Sequence, residues 1–249
     1  MPEKDGILRL AMWSGPRNIS TAMMRSWGNR GDTHVVDEPF YAYYLKSTGL
    51  PHPMADEVMA SQPTDWRDVV DGLLGPVPGN KPLYYQKHMT HHFLDEVGRE
   101  WLGDMTHVFL IRDPREMLVS LDEKTPEPAL KDTGYPQQLE IFEWVKANTG
   151  QPCPVIDSKD LLMDPEGMLA KICGILGIEF DKAMMSWPAG RRETDGVWAE
   201  HWYGNVEKST GFQPYKPKSG EVQEHLKDLL DECRPYYETL KQHALNSKD

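Results

Sequence analysis

The chain has 249 residues, of which 39% are hydrophobic and 27% charged, and this is enough for one α/β domain with a complete core. Its formal net charge of −12 disfavours nucleic acid and anionic membrane as partners, because like charges repel at long range. An anionic small molecule would therefore need a local basic pocket.

Secretion and membrane insertion are both disfavoured. The N-terminus has no basic segment followed by an apolar one, and no apolar run approaches the roughly 20 residues that span a bilayer. The three cysteines are widely spaced and odd in number, which favours reduced thiols over a disulfide framework. We expect a cytoplasmic protein that acts on a small molecule.

Five short apolar runs predict the strands of a mostly parallel sheet, because a helix or a long excursion follows each of them. The runs cover residues 7–13, 33–37, 83–86, 107–111 and 154–156. This alternation predicts a single α/β domain over residues 1–249, with a central sheet flanked by helices. The last helix is expected from about residue 222 to about residue 240.

Two stretches, 41–81 and 187–219, contain scattered glycine, proline and aromatic residues without a clear period. Excursions of this length inside a compact domain are usually lids or binding surfaces. We therefore expect both of them to border the site of an acceptor molecule.

The first strand ends in a tight loop that opens into an amphipathic helix, which is typical of an anion site. Free backbone N–H groups and the positive end of the helix dipole both favour a phosphate or sulfate there. Arg17 adds a permanent charge, and Ser20 and Thr21 add hydroxyl donors. The candidate binding residues are Ser14, Gly15, Pro16, Arg17, Asn18, Ile19, Ser20 and Thr21. A βα turn that binds nothing is the alternative.

The same loop does not fit the P-loop of nucleoside triphosphatases. That motif needs a second glycine followed by lysine and a hydroxyl residue, whereas this loop has only Gly15 and places Arg17 early. ATP hydrolysis is therefore disfavoured.

The fourth predicted strand ends at Arg112, on the sheet edge where open α/β sheets bind ligands. A guanidinium at that position can clamp a phosphate with two parallel hydrogen bonds. Ser120 follows two helical turns later, and spacing alone does not show that both side chains reach one ligand. An ion pair between Arg112 and Asp113, with Ser120 inside a helix, is the alternative.

Together these two motifs resemble those of sulfotransferases that use 3′-phosphoadenosine 5′-phosphosulfate (PAPS). Residues 16–21 are similar to the family's Pro-Lys/Arg-x-x-Ser/Thr-Thr loop for the 5′-phosphosulfate. Arg112, with Ser120 eight positions later, is similar to its element for the 3′-phosphate. The resemblance covers roughly residues 7–180, and it departs from the cytosolic branch in having Arg17 where lysine is usual.

The resemblance implies a fold of the P-loop-containing nucleotide-binding type and PAPS as co-substrate, with no metal. It also implies in-line transfer of a sulfuryl group to a hydroxyl or amine of a small-molecule acceptor. On this reading Arg17 stabilises charge on the leaving phosphate, while Ser20 and Thr21 hold the 5′-phosphate.

The base that removes the acceptor proton has two candidates. Lys87-His88 resembles the family's Lys-x-His element, although the two residues are adjacent here and should point to opposite faces of a strand. Glu38 ends the second predicted strand, where carbohydrate-type sulfotransferases have a glutamate. We slightly prefer His88 over Glu38, and we include Lys87 among the catalytic candidates.

The roles of three further groups of residues remain open. His91 and His92 follow His88, but without supporting acidic or cysteine ligands we expect no metal site. An aromatic group could line an acceptor pocket or simply fill the core: Phe40, Tyr41, Tyr43, Tyr44, Trp198, Trp202 and Tyr203. A basic residue to complete the 3′-phosphate site could be Arg191, Arg192, Lys208, Lys216 or Lys218.

Two other functions compete with sulfuryl transfer. One is an ATP-dependent small-molecule kinase of the P-loop type, and the other is a nucleotide-binding protein without catalysis. The missing Walker lysine argues against the kinase.

Overall fold

In the computed structural model, which describes residues 6–123, 125, 127–217 and 222–246, parallel strands form one sheet in the order β2-β3-β1-β4-β5. The strands are β1 (Leu8–Ser14), β2 (Thr33–Asp37), β3 (Leu83–Met89), β4 (Thr106–Ile111) and β5 (Val155–Asp157). Every predicted strand is present, and the predicted α/β class with a central parallel sheet flanked by helices is confirmed.

Helices connect the strands and flank the sheet. They are α1 (Ser20–Gly28), α2 (Tyr41–Thr48), α3 (Ala55–Ser61), α4 (Trp66–Leu74), α5 (Pro114–Asp122), α6 (Leu130–Thr133), α7 (Tyr135–Asn148), α8 (Ser158–Met163), α9 (Pro165–Leu176), α10 (Ala199–Trp202) and α11 (Lys227–Lys241). Both α5 and α9 begin with proline, after an N-cap aspartate whose side chain accepts a backbone N–H. Such a cap stabilises a helix by about 1 kcal/mol.

Two predicted segments differ in detail from the structure. The excursion 41–81 contains α2, α3 and α4, so most of it is helical, and each of these helices buries at least one apolar residue. The last helix begins at Lys227 rather than near residue 222, because Gln223 has an extended backbone and a short 3₁₀ turn precedes the helix.

The strands bury both faces of the sheet, and alternation along each strand decides which side chain lies on which face. In β1, Leu10 and Met12 join one core cluster, while Trp13 joins the other. The register pairs Met12 with Lys87 and Trp13 with His88. Lys87 and His88, the adjacent catalytic candidates on β3, therefore lie on opposite faces of the sheet.

The strand order creates a crevice at the carboxyl ends of β1 and β4. The chain passes from β1 to the β2 edge of the sheet, whereas β4 and β5 lie on the other side of β1. Ligands of open α/β sheets bind at such a switch point. The loop that follows β1 and the arginine that follows β4 both lie at this edge.

Two glycines let the loop after β1 pack closely against the start of α7. A Cβ atom on Gly15 would lie 2.5 Å from the Thr133 carbonyl oxygen. Gly134 has a φ of +74°, and its own Cβ would lie 3.3 Å from the Gly15 Cα and collide with the Thr90 hydroxyl. The loop is therefore held by backbone contacts that leave no room for a side chain.

We expect Gly15→Ala to destabilise the protein by about 1–3 kcal/mol, because the new methyl group must displace backbone. Gly174→Ala is the matched control, since Gly174 lies exposed in α9 with nothing within 4 Å of its Cβ position. This control should be neutral or stabilising by up to about 1 kcal/mol. Urea unfolding measures both values, and equal free energies of unfolding for the two variants would contradict this packing.

Candidate active site at the carboxyl edge of the sheet

The loop after β1, residues 14–21, has the backbone shape of an anion cradle, and we call it the anion loop. Arg17 and Ile19 have φ angles of 60° and 58°, in the left-handed region that non-glycine residues rarely adopt. Among the described residues, none accepts a hydrogen bond from the backbone N–H groups of Arg17, Asn18, Ile19 or Ser20. Alternating conformations that leave successive N–H groups free make a concavity suited to phosphate or sulfate.

Side chains from neighbouring elements fix the anion loop before any ligand arrives. Asn18 Nδ2 donates to the Leu110 carbonyl at 3.2 Å, across to β4. The Thr90 hydroxyl, which has one proton to donate, lies 2.9 Å from the Gly134 carbonyl oxygen and 3.3 Å from the Ser14 carbonyl oxygen. The cradle is thus preorganised, which lowers the conformational cost of binding.

The two sequence motifs, residues 16–21 and Arg112 with Ser120, meet directly. Arg17 Nε donates to Ser120 Oγ at 3.0 Å, and Arg112 Nη1 donates to the Arg17 carbonyl at 2.8 Å. The alternative ion pair with Asp113 does not form, because that side chain caps α5. Instead, Arg112 Nη2 pairs with a Glu116 oxygen at 3.1 Å, one helical turn into α5.

Tyr215, from the segment that follows α10, bonds the glutamate of this ion pair. Tyr215 OH donates to Glu116 Oε1 at 2.5 Å, and this bond raises the pKa of Tyr215 to about 12. Lys159 Nζ lies 5.6 Å from the centre of the Tyr215 ring. Lys159, at the start of α8, therefore lies beside the tyrosine that bonds Glu116, the ion-pair partner of Arg112.

The basic residues named as candidates for the 3′-phosphate site lie in different parts of the structure. Lys216 directly follows Tyr215, whereas Arg192 lines a cavity of about 110 Å³ with Gly28 and Asn29, at the far end of α1 from the anion loop. Lys218 lies outside the described residues. Lys216 is thus adjacent in sequence to a residue that bonds Glu116, the ion-pair partner of Arg112.

A second cluster lies at the ends of β2 and β3. Lys87 Nζ donates to Glu38 Oε1 at 2.5 Å, to Asp37 Oδ1 at 2.9 Å and to Tyr203 OH at 2.7 Å. The Lys87 and Asp37 side chains are each 1% exposed and that of Glu38 is 11% exposed. Sequence reasoning named Glu38 and Lys87 but assigned no role to Asp37 and did not connect Tyr203 with them.

Burial and charge set the acidity of this cluster. Burial raises the pKa of the Glu38 carboxyl, and the Lys87 ammonium offsets this only in part. For Lys87, burial acts to lower the pKa, but the two carboxylates outweigh it and the net direction is upward. Glu38 is thus shifted towards the proton affinity that a general base needs near neutral pH.

The backbone of Glu38 is strained and held in place. Its φ is 43°, and its N–H donates to the Lys87 carbonyl at 2.9 Å. Gln62 Nε2 donates to the Asp37 and Glu38 carbonyls at 3.3 and 3.2 Å. A left-handed non-glycine residue costs about 1–3 kcal/mol, and such strain is concentrated at functional sites.

His88 lies elsewhere. Its ring stacks on Trp13 at 4.3 Å and lies 5.8 Å from the Phe40 ring, in the core cluster on the opposite face from Lys87. Its Nε2 is 3.2 Å from Gln86 Oε1, and burial lowers its pKa to about 3. The structure therefore brings Glu38 and Lys87 together and leaves His88 apart.

His91 and His92, the two histidines that follow β3, lie on the Glu38 side of the sheet. The His92 ring stacks on Tyr41 at 4.5 Å, and its Nδ1 is 3.9 Å from Glu38 Oε2. His91 contacts His92 edge-on. Within the described ranges, no three His, Cys, Asp or Glu side chains are grouped so that they could hold a metal ion.

The aromatic candidates do not form one wall. Tyr41, Tyr44, Trp198 and Tyr203 are buried in the core cluster on the Glu38 side, with Trp202 packed partly buried against it. Phe40 and Tyr43 belong to the opposite cluster. The aromatic candidates therefore divide between the two faces of the sheet.

In the part of the chain that the structure describes, no helix is both long and apolar enough to cross a bilayer.

Comparison with known proteins assigns the family. A family model described as "Sulfotransferase domain" matches residues 8–244. This chain belongs to that sulfotransferase family, and membership supports sulfotransferase activity in general.

Two curated relatives come from Arabidopsis thaliana. Branched-chain-amino-acid aminotransferase-like protein 1 is 37% identical over 238 residues, which are 94% of this chain and 42% of the relative. Branched-chain-amino-acid aminotransferase-like protein 2 is 36% identical over 233 residues, 93% and 41% respectively. The chain thus spans about two fifths of these proteins, and their names say nothing of the sulfotransferase region.

Solved structures share the fold. The sulfotransferase domain of the Synechococcus PCC 7002 olefin synthase superposes with a TM-score of 0.54 at 16% identity, over 93% of this chain and 97% of that one. The sulfotransferase domain from the curacin biosynthetic pathway gives 0.51 at 13%, over 90% and 97%. A sulfotransferase from Alicyclobacillus acidocaldarius gives 0.53 at 11%, over 97% and 98%. At these identities the likeness establishes the sulfotransferase fold.

Proposed function

We propose that this protein transfers the sulfuryl group of PAPS to a hydroxyl or amine of a small-molecule acceptor. One observation carries the proposal: the two phosphate motifs touch, with Arg17 Nε 3.0 Å from Ser120 Oγ and Arg112 Nη1 2.8 Å from the Arg17 carbonyl. A nucleotide with phosphate at both ends suits two basic motifs that meet at one sheet edge.

The residues present fit that nucleotide. The free N–H groups of the anion loop, with Ser20 and Thr21, suit the 5′-phosphosulfate. Arg112 and Ser120 suit the 3′-phosphate, which would compete with Glu116 for the guanidinium. Arg17 and Arg112 form a local basic site in a chain of net charge −12, as an anionic ligand of this protein requires.

The chemistry divides among named side chains. PAPS supplies the sulfuryl group, and Arg17 stabilises charge on the phosphate that leaves. Glu38 accepts the acceptor's proton, because it is ionisable, lies at the sheet edge on a strained backbone and has a side chain that is 11% exposed, whereas His88 is stacked on Trp13 in an apolar cluster. Lys87 orients Glu38 and does not reach the sulfuryl group, since its hydrogen bonds go to protein oxygens.

Three unpaired cysteines, Cys153, Cys173 and Cys233, are consistent with work in a reducing compartment. We therefore include a cytoplasmic location in the proposal, with a small molecule as the only partner required.

Thermal unfolding with adenosine 3′,5′-bisphosphate, the product nucleotide, tests the nucleotide class. Ligand at 100 times its Kd adds about 2.7 kcal/mol, which should raise the Tm by about 5–10 °C for a domain of this size. Mg-ATP at the same concentration should raise it much less. Stabilisation by Mg-ATP alone would overturn the proposal and support an ATP-dependent kinase.

Transfer of ³⁵S from labelled PAPS to a panel of alcohols, phenols and amines tests catalysis. We expect label to appear on at least one acceptor class and to depend on Glu38. A protein that binds the bisphosphate but transfers no label to any acceptor would instead be a nucleotide-binding protein without catalysis.

A further inference from the structure

We propose that Asp37, Lys87 and Tyr203 are positioning residues that hold Oε1 of Glu38 and leave Oε2 as the atom that takes the acceptor's proton. This inference rests on the proposed function, because it assigns an orientation and a proton affinity to the base of that reaction. It also gives the late segment around Tyr203 a part in catalysis without contact to the reacting atoms.

The hydrogen bonds of Lys87 are fully used. An ammonium has three N–H donors, and the three acceptors are Asp37 Oδ1, Glu38 Oε1 and Tyr203 OH, at 2.9, 2.5 and 2.7 Å. Its side chain is 1% exposed, so water does not compete for these protons. Because the Lys87 ammonium is bonded in three directions, it fixes the positions of the Asp37, Glu38 and Tyr203 side chains.

Tyr203 closes the network from a distant part of the chain. Its hydroxyl accepts from Lys87 and from Trp198 Nε1 at 3.3 Å, and it donates its one proton towards Asp37, whose oxygens are 2.8 and 2.7 Å away. The Gly196 N–H adds a bond to Asp37 Oδ2 at 3.2 Å. The segment from Gly196 to Tyr203 thus locks the end of β2.

The second carboxylate oxygen of Glu38, Oε2, takes no part in this hydrogen-bond network. Among the described residues no hydrogen bond reaches Oε2, and His92 Nδ1 lies 3.9 Å from it. That Nδ1 is buried and has no hydrogen-bond partner. An acceptor hydroxyl that donates to Oε2 would fill this gap.

The charges around Glu38 predict opposite effects for two substitutions. The titratable groups that face it are Asp37 on β2, Tyr41 on α2, Lys87 on β3, His92 after β3 and Tyr203 after α10. The negative charge of Asp37 raises the pKa of Glu38, whereas the Tyr203 hydroxyl, whose oxygen lies 3.4 Å from Oε1, lowers it. Asp37→Asn should therefore lower the Glu38 pKa, and Tyr203→Phe should raise it.

The test is a ¹³C NMR titration of protein labelled at the glutamate carboxyl carbons, with the Glu38 signal assigned by its loss in Glu38→Gln. Asp37→Asn should move the midpoint down by about one pH unit, the size that a nearby charge produces. Tyr203→Phe should move it up. An unchanged midpoint in both variants, or shifts in the same direction, would overturn the proposal.

The chain provides a matched control network at β5. Asp157 accepts from Lys241 at 2.9 Å and from Tyr237 at 2.7 Å, which repeats the Asp, Lys and Tyr arrangement far from Glu38. Asp157→Asn and Tyr237→Phe should leave the Glu38 midpoint unchanged. If Asp37→Asn does not fold, as judged by thermal unfolding, Tyr203→Phe decides the question, because it removes a single oxygen.

Calorimetry with adenosine 3′,5′-bisphosphate on the same samples separates this inference from the proposed function. If the variants show the expected titration shifts but the wild-type protein binds no bisphosphate, the function is refuted and the network is kept. Protein that binds the bisphosphate without those shifts would refute the network and keep the function.

Discussion

Arg112→Ala should weaken the binding of adenosine 3′,5′-bisphosphate by about 100-fold or more. The guanidinium lies at the carboxyl end of β4, largely shielded from water, and is bonded to the anion loop through the Arg17 carbonyl. Removing one partner of a shielded, hydrogen-bonded charge pair costs about 2–5 kcal/mol. The substitution also frees the Arg17 carbonyl, so the anion loop loses one of its supports. Isothermal titration calorimetry measures the Kd directly.

Arg115→Ala is the control for this prediction. It removes the same side chain three residues later, from an exposed position on α5, and it lowers the net charge equally. We expect its Kd to stay within about threefold of the wild-type value, since an exposed charge contributes little. Equal losses for the two variants would mean that general charge, and not a clamp, binds the nucleotide.

Glu38→Gln should lower kcat by about 10²- to 10⁴-fold, the usual contribution of a general base. The Kd for the bisphosphate should remain nearly unchanged, because Glu38 does not contact the anion loop in the hydrogen bonds that the structure records. Burial raises the pKa of Glu38, so the wild-type rate should fall as pH drops through that raised value. Rates with labelled PAPS and a responsive acceptor, measured across pH, test both points.

His88→Ala distinguishes the two candidate bases. Its ring fills an apolar stack with Trp13 and Phe40, so its removal should cost about 2–4 kcal/mol of stability. The kcat of the folded protein should change only a few-fold. A large loss of kcat in His88→Ala, together with a nearly normal Glu38→Gln, would return the role of base to His88.

The fold was largely predictable because its signals are local. Each strand is a short apolar run, and proline at the first turn of α5 and α9 marks where those helices begin. The helices within 41–81 were not predicted, since α3 and α4 bury only one to three residues each and their patterns are short. Packing against the sheet, rather than local pattern, stabilises such helices.

The position of the two motifs in the fold was predictable from local sequence, while their role in binding stays a prediction. Residues 16–21 and Arg112 lie at strand ends, and parallel strands bring their carboxyl ends to one edge, so the contact between Arg17 and Ser120 follows from the fold. The choice of base did not follow from the sequence, because alternation predicts that Lys87 and His88 lie on opposite faces of β3 but not which of the two faces Glu38. The structure places Lys87 on Glu38 and stacks His88 on Trp13.

The partners of Lys87 depend on contacts that are remote in sequence. Tyr203 lies 116 positions beyond Lys87, in a segment without periodicity. No sequence pattern links a tyrosine in an irregular segment to a lysine on a central strand. A pair of acidic residues at the end of a strand, Asp37-Glu38, was the one signal that pointed to this cluster.

The most direct test of the whole account is a pair of calorimetric titrations of the wild-type protein, one with adenosine 3′,5′-bisphosphate and one with adenosine 5′-monophosphate. These ligands differ only in the 3′-phosphate, which is the group assigned to Arg112 and Ser120. We expect the bisphosphate to bind at least about 100-fold more tightly. Equal affinities would contradict the claim that the two motifs together bind one nucleotide with phosphate at both ends.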